Sequence, residues 1–274
     1  MREKIKITYK ISLYLFAFIG LIFVSVFLAF KLNLTKNFSF VDKNYDYFNK
    51  SRLLSENTSY SWMNTDEYLT VKNAVVKEKD TMFRAENITG IKSRIIASIL
   101  FVEQMRLYNS DTELFKRIFE PLKILCIQSQ YSWGVLGLKQ ETLIQIENNL
   151  KDSSSTFYLG KDFENLLDFS SSTSDKDTER FNRVTENHNQ YYTYLYASLF
   201  IKQIEKQWID SSFDISGRPE ILATLYNIGF SHSKPNSNPQ VGGAEIKIGN
   251  EKYSFGRLAY EFYYSDELLN EFPR

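Results

Sequence analysis

The chain has 274 residues, and 33 Lys+Arg balance 33 Asp+Glu, so the formal net charge is zero and no global basic field exists to hold nucleic acid. It is 43% hydrophobic and 16% aromatic, which suits one globular domain plus a short appendage. Its 11 glycines and 5 prolines exclude collagen-like and low-complexity chains. One cysteine, Cys126, rules out an intrachain disulfide. It lies in the apolar run Leu122–Ile127 and reads as a small buried hydrophobe. With only two histidines, His188 and His232, a His/Cys zinc site has too few ligands, and no metal or organic cofactor is implied.

Arg2, Lys4, Lys6 and Lys10 precede Ile11–Phe30, a stretch without a charged residue. A spanning helix needs about 20 such residues, and the flanking positive charge keeps the N-terminus cytoplasmic. A cleaved signal peptide has a shorter apolar core ending in a small-x-small site, which bulky Phe27, Leu28 and Phe30 fit poorly. The pattern therefore predicts a cytoplasmic tail over 1–10 and a retained transmembrane signal anchor over 11–31. The rest is then periplasmic or extracellular. Asn-x-Ser/Thr triplets at Asn33, Asn37, Asn57 and Asn87 matter only in a eukaryotic secretory pathway, and an Asn-rich composition yields such matches by chance.

Residues 32–86 read as a stalk and lead-in, with one short polar helix over Asp66–Lys79. The main domain is expected over 87–274, opening with helix-start chemistry at Asn87-Ile-Thr-Gly-Ile-Lys-Ser93. Ile91–Tyr108 is so densely apolar that it predicts a helix buried on most sides. A second helix is expected over Thr112–Ser129, kinked or divided at Pro121, and a short third one over Thr142–Leu150. Asp152–Thr178, rich in Ser and Asp, reads as a surface excursion. Helices follow over Asn187–Trp208 and Pro219–Ile228, the latter with proline in its first turn. Ala244–Phe255 alternates with period two around Gly249-Asn250 and predicts a β-hairpin. Phe255–Leu269 returns to helix. The fold class is mainly α with a small β-hairpin.

Glu103 closes the apolar run Ile95-Ile-Ala-Ser-Ile-Leu-Phe-Val-Glu103. A carboxyl at the edge of a hydrophobic core suits a general acid, because burial disfavours its charged form. Taken alone, the plainer reading of Glu103 is a solvated glutamate at a helix end. Two patterns follow it: Ser132-Trp-Gly-Val-Leu-Gly-Leu-Lys-Gln-Glu-Thr142, and Ala223-Thr-Leu-Tyr-Asn-Ile-Gly229.

This ordered set resembles the soluble lytic transglycosylase and goose-type lysozyme family over residues 87–265. The resemblance implies a lysozyme-like helical domain acting on peptidoglycan glycan strands. Glu103 would be the catalytic acid, protonating the glycosidic oxygen. Ser132, Gly134, Tyr226 and Asn227 would be substrate-binding: Ser132 hydrogen-bonding the carboxyl or an acetamido group, Gly134 admitting the glycan close to the backbone. Tyr226 would pack against a sugar ring, and Asn227 would fix the helix end or bind substrate. For Tyr226 and Asn227 the structural alternatives are a core aromatic and a polar helix terminus. Two departures stand out: the expected helix Thr112–Ser129 is inserted between Glu103 and Ser132, and Gly137 displaces the usual glutamine. Most glycosidases use two carboxylates. Glu141 is the nearest candidate, though a solvated first-turn glutamate favoured by the helix dipole is its plainer reading. A lytic transglycosylase needs no second protein carboxylate, which favours that activity over hydrolysis. A catalytically silent wall-binding or scaffold domain of the same fold, and an unrelated helical ectodomain that binds a partner, remain open.

Overall fold

A computed structural model of the chain describes residues 2–31, 40–42, 59–108, 132–186 and 190–274. Side chains are described at 10, 12–25, 41–42, 59–108, 134–186 and 190–274. The helix expected over Thr112–Ser129, with Cys126, and the residue His188 lie outside the described residues. The chain divides into two compact units, Met1–Phe38 and Ser39–Arg274.

The first unit is the helix α1, Arg2–Lys31. Leu13, Phe16, Phe18, Leu21 and Val24 are exposed on several of its faces. Among the described residues no helix is long and apolar enough to cross a membrane. The anchor expected over 11–31 includes side chains beyond residue 25 that lie outside the described ones.

The second unit is mainly helical. After the short strand β1 (Phe40–Val41) come α2 (Asp66–Lys77), α3 (Lys79–Thr89) and α4 (Ser93–Tyr108). The hairpin β2 (Ser132–Trp133) and β3 (Leu138–Lys139) leads into α5 (Gln140–Lys151), followed by α6 (Lys176–Thr185), α7 (Tyr191–Asp210) and α8 (Pro219–Ile228). The strands β4 (Gly242–Gly243), β5 (Glu245–Ile248) and β6 (Glu251–Ser254) precede α9 (Phe255–Tyr264). Among the described residues the two-stranded ladders β1–β4, β2–β3 and β5–β6 are antiparallel.

Helix α4 is the centre of this unit. Its buried side chains run without a break from Ser93 to Glu103, so over that stretch it has no solvent face to alternate with. The helices α2, α3, α7, α8 and α9 pack around it. The expected helix over Ile91–Tyr108 is thus observed as Ser93–Tyr108, buried on most sides.

The division expected between a lead-in and a domain at residue 87 does not match the packing. Trp62, Val75, Met82 and Ala85 are fully buried, and they belong to the same core as α4. The Trp62 indole N–H donates to Glu261 Oε2 at 3.0 Å, while Arg257 Nε donates to Glu261 Oε1 at 2.9 Å. A buried ion pair thereby holds the lead-in against α9. The Asn87-Ile-Thr-Gly segment closes a helix rather than opening one. Gly90 takes φ +75°, and its N–H caps the Glu86 carbonyl at 2.7 Å, a left-handed stop that glycine alone adopts without cost.

Helix α9 ends at Tyr264, short of the expected Leu269. Arg94 explains the stop. It is fully buried, and its guanidinium donates to five main-chain carbonyls: Tyr263, Phe272, Phe262, Ser265 and Glu267. Carbonyls at a helix C-terminus carry partial negative charge, so the cation completes both their hydrogen bonds and the dipole. Burial, then the nearby Arg274, pushes the guanidinium down to about 10, still charged at neutral pH.

Gly256, near the start of α9, permits the close approach of α8. A methyl group there would lie 2.1 Å from Thr224 Oγ1 and 2.6 Å from the Glu220 carbonyl. Two stability changes follow, both readable by urea denaturation of the full chain. Arg94→Met takes the donor from the Phe272 and Glu267 carbonyls, while Phe262, Tyr263 and Ser265 keep Ser265 Oγ or Arg274, and should cost about 2–4 kcal/mol, the range for two buried carbonyls left unpaired plus lost packing. Gly256→Ala should cost about 1–3 kcal/mol through overpacking.

Candidate active site

Glu103 lies in the last turns of α4 and is 3% exposed. Facing it is the turn 134–137 that joins β2 to β3. Gly134 and Gly137 sit at φ +65° and +64°, where L side chains are strained, and the Gly137 N–H closes the turn on the Gly134 carbonyl at 3.4 Å. A methyl group at Gly137 would lie 2.9 Å from Glu103 Oε1 and 3.1 Å from Oε2, so only glycine lets the turn rest on the carboxylate.

Two side chains tie that turn down. Gln104 Nε2 donates to the Val135 carbonyl at 2.8 Å, and the Tyr226 hydroxyl donates to the Leu136 carbonyl at 2.9 Å. Tyr226 comes from α8, is 5% exposed, and packs its ring 5.2 Å from that of Phe200. Burial, then the Glu103 carboxylate and Tyr194, pushes its hydroxyl well above the ordinary phenol range, so it remains a donor. Leu136 is itself fully buried, which anchors the turn from within.

Arg106, one turn after Glu103, directs both Nε (2.9 Å) and Nη2 (2.6 Å) to Glu103 Oε2. Its side chain is 24% exposed. Burial disfavours a charged carboxylate, whereas a guanidinium in hydrogen-bond contact favours it. The expectation of a carboxyl governed by apolar surroundings alone therefore needs amending. Glu103 is both buried and ion-paired.

The five residues singled out in the sequence are distributed unevenly. Glu103, the Gly134 turn and Tyr226 come together. Gly134 admits protein rather than leaving room for a ligand: a methyl group there would lie 2.2 Å from the Val184 carbonyl, which also accepts from Thr193 Oγ1 at 3.0 Å. Ser132 pairs with Lys139 across the hairpin, and its side chain lies outside the described ones. Tyr226 spends its hydroxyl on the turn. Asn227 faces elsewhere. Its Oδ1 accepts the Ala244 N–H at 2.8 Å, fixing the end of α8 to the β4–β5 connection. Glu141 is exposed in the first turn of α5. Among the described residues no group of three or more His, Cys, Asp or Glu could hold a metal ion.

Gln104 and Arg106 were not singled out in the sequence. Arg106 had a readable signal, since a basic residue three positions after an acid lies on the same helix face. Gln104 had none, because its partner is a main-chain carbonyl from a distant segment. No protein-family model, curated protein or solved structure matches this chain.

Gly134→Ala should force the turn off the Val184 carbonyl and cost at least about 2 kcal/mol, the range of overpacking plus strain at positive φ. Its thermal midpoint should fall well below that of Gly217→Ala, at a glycine with open space around it and no positive φ.

Proposed function

We propose that the chain is a membrane-anchored peptidoglycan lytic transglycosylase of lysozyme-like fold. Its anchor spans 11–31, its N-terminus is cytoplasmic, and its helical domain is periplasmic or extracellular. The substrate is the MurNAc–GlcNAc β-1,4 bond of peptidoglycan glycan strands, and Glu103 is the general acid/base. One observation carries the reading. Three segments far apart in sequence, the end of α4, the 134–137 turn and α8, converge on one buried carboxyl group.

Glu103 protonates the glycosidic oxygen as the C1–O bond breaks. As a carboxylate it then takes the proton of the muramic acid C6 hydroxyl, which attacks C1 and leaves a 1,6-anhydro end. No second protein carboxylate is needed, which suits a site where Glu141 stands exposed. Arg106 sets a condition on the first step. Its guanidinium must give up Oε2, or the proton must be delivered from Oε1.

That same ion pair favours a second reading, a catalytically inactive peptidoglycan-binding or scaffold domain in which Glu103 and Arg106 are structural. Muropeptide release from purified sacculi by the detergent-solubilised full chain decides between them. Activity is expected, and Glu103→Gln should lower it by about 10²–10⁴-fold, the usual scale of general acid–base catalysis. Equal release by the two proteins removes Glu103 from the acid role. Sacculus binding without product supports the inactive domain.

A further inference from the structure

The cover over Glu103 is held by the buried Leu136 side chain and by two hydrogen bonds to its main chain. The 134–137 turn has a glycine at positive φ at each end, where the backbone can pivot at low steric cost. Its Gly134 end is wedged against the Val184 carbonyl, so it cannot move far. Its Gly137 end rests on the carboxylate. Between them, two consecutive carbonyls are each held by one side chain, Val135 by Gln104 and Leu136 by Tyr226. Gln104 is the residue directly after Glu103, and Tyr226 arrives from α8. Closing the turn therefore ties together the helix that carries the acid and the helix beside it.

We propose that Gln104 and Tyr226 form a latch that holds the 134–137 turn shut over Glu103, and that the carboxyl becomes reachable only when this turn swings away from its Gly134 end. Both are positioning residues, because they act on Glu103 through the turn. Tyr226 is then not a sugar platform in the closed state, since its hydroxyl is engaged and its ring is packed on Phe200. The latch stands on this geometry alone and does not depend on what the carboxyl acts upon.

The test uses the full chain in detergent and two readouts that need no catalysis: hydrogen exchange at the amides of 135–138, and modification of Glu103 by a water-soluble carbodiimide with glycinamide, located by mass spectrometry. Tyr226→Phe removes only the hydroxyl, and Gln104→Leu removes the donor while keeping side-chain bulk. Each should accelerate exchange in the turn about fivefold, the worth of one ordinary hydrogen bond, and the double variant should exceed either. Glu103 should be modified faster in step, while Glu141, already exposed, should not change. Unchanged turn exchange in a folded variant overturns the proposal. So does acceleration of the core amides of α7 by the same factor, which signals general loosening. If one variant fails to fold, the other decides. Latch behaviour without any muropeptide release would sink the transglycosylase reading and leave the latch intact.

Discussion

Arg94 is the constraint on which the rest of the second unit rests. A cation without solvent contact is costly to bury, and here its hydrogen bonds all go to main-chain carbonyls rather than to a carboxylate, with the Phe262 and Tyr263 rings beside it. Those carbonyls belong to the last turn of α9 and to the segment that follows it. One side chain near the start of the central helix thus decides where the last helix stops and how the chain end folds back. Phe262 and Phe272 are fully buried beside it, so the C-terminal segment is part of the core. The Trp62–Glu261–Arg257 network performs a similar task for the lead-in, from the opposite end of the sequence.

Periodicity made most of the helical framework legible. Pro219–Ile228 and the hairpin about Gly249-Asn250 are observed where proline at a first helical position and a two-residue turn place them. The dense apolar run of α4 had only one physical solution, a helix surrounded by others. The lead-in was harder to read because its buried residues are spaced among charged ones. Tyr68, Val71 and Val75 form a stripe on α2, with Trp62 buried just ahead of it, but a polar composition hides it unless the partner surface is known. The reversal at Asn87–Gly90 has a different cause. Asn and Thr can begin a helix, yet the glycine after them adopts the left-handed conformation that ends one.

The candidate site was legible as a set of segments and much less so as a set of roles. Glu103, the glycine turn and Tyr226 do meet. What each contributes depends on main-chain atoms, which leave no mark in residue order. Gly134 accommodates Val184, and Gly137 accommodates the carboxylate itself. The Tyr226 hydroxyl serves the turn, and Asn227 serves the β4–β5 connection. Residue identity announced polar chemistry at these positions. The third dimension decided which of those polar groups were already engaged.

The pairing of β1 with β4 gathers distant positions at one place. Among the described residues Phe40 and Val41 make up the ladder, against Gly243 and Gly242, and Asp42 follows with its N–H on the Val241 carbonyl and its Oδ2 accepting from the Ser254 hydroxyl. Its fastening points are the neighbours of Asn227 and the entry to α9, so residues 40–42 close the same corner of the unit that the end of α8 and the start of α9 share.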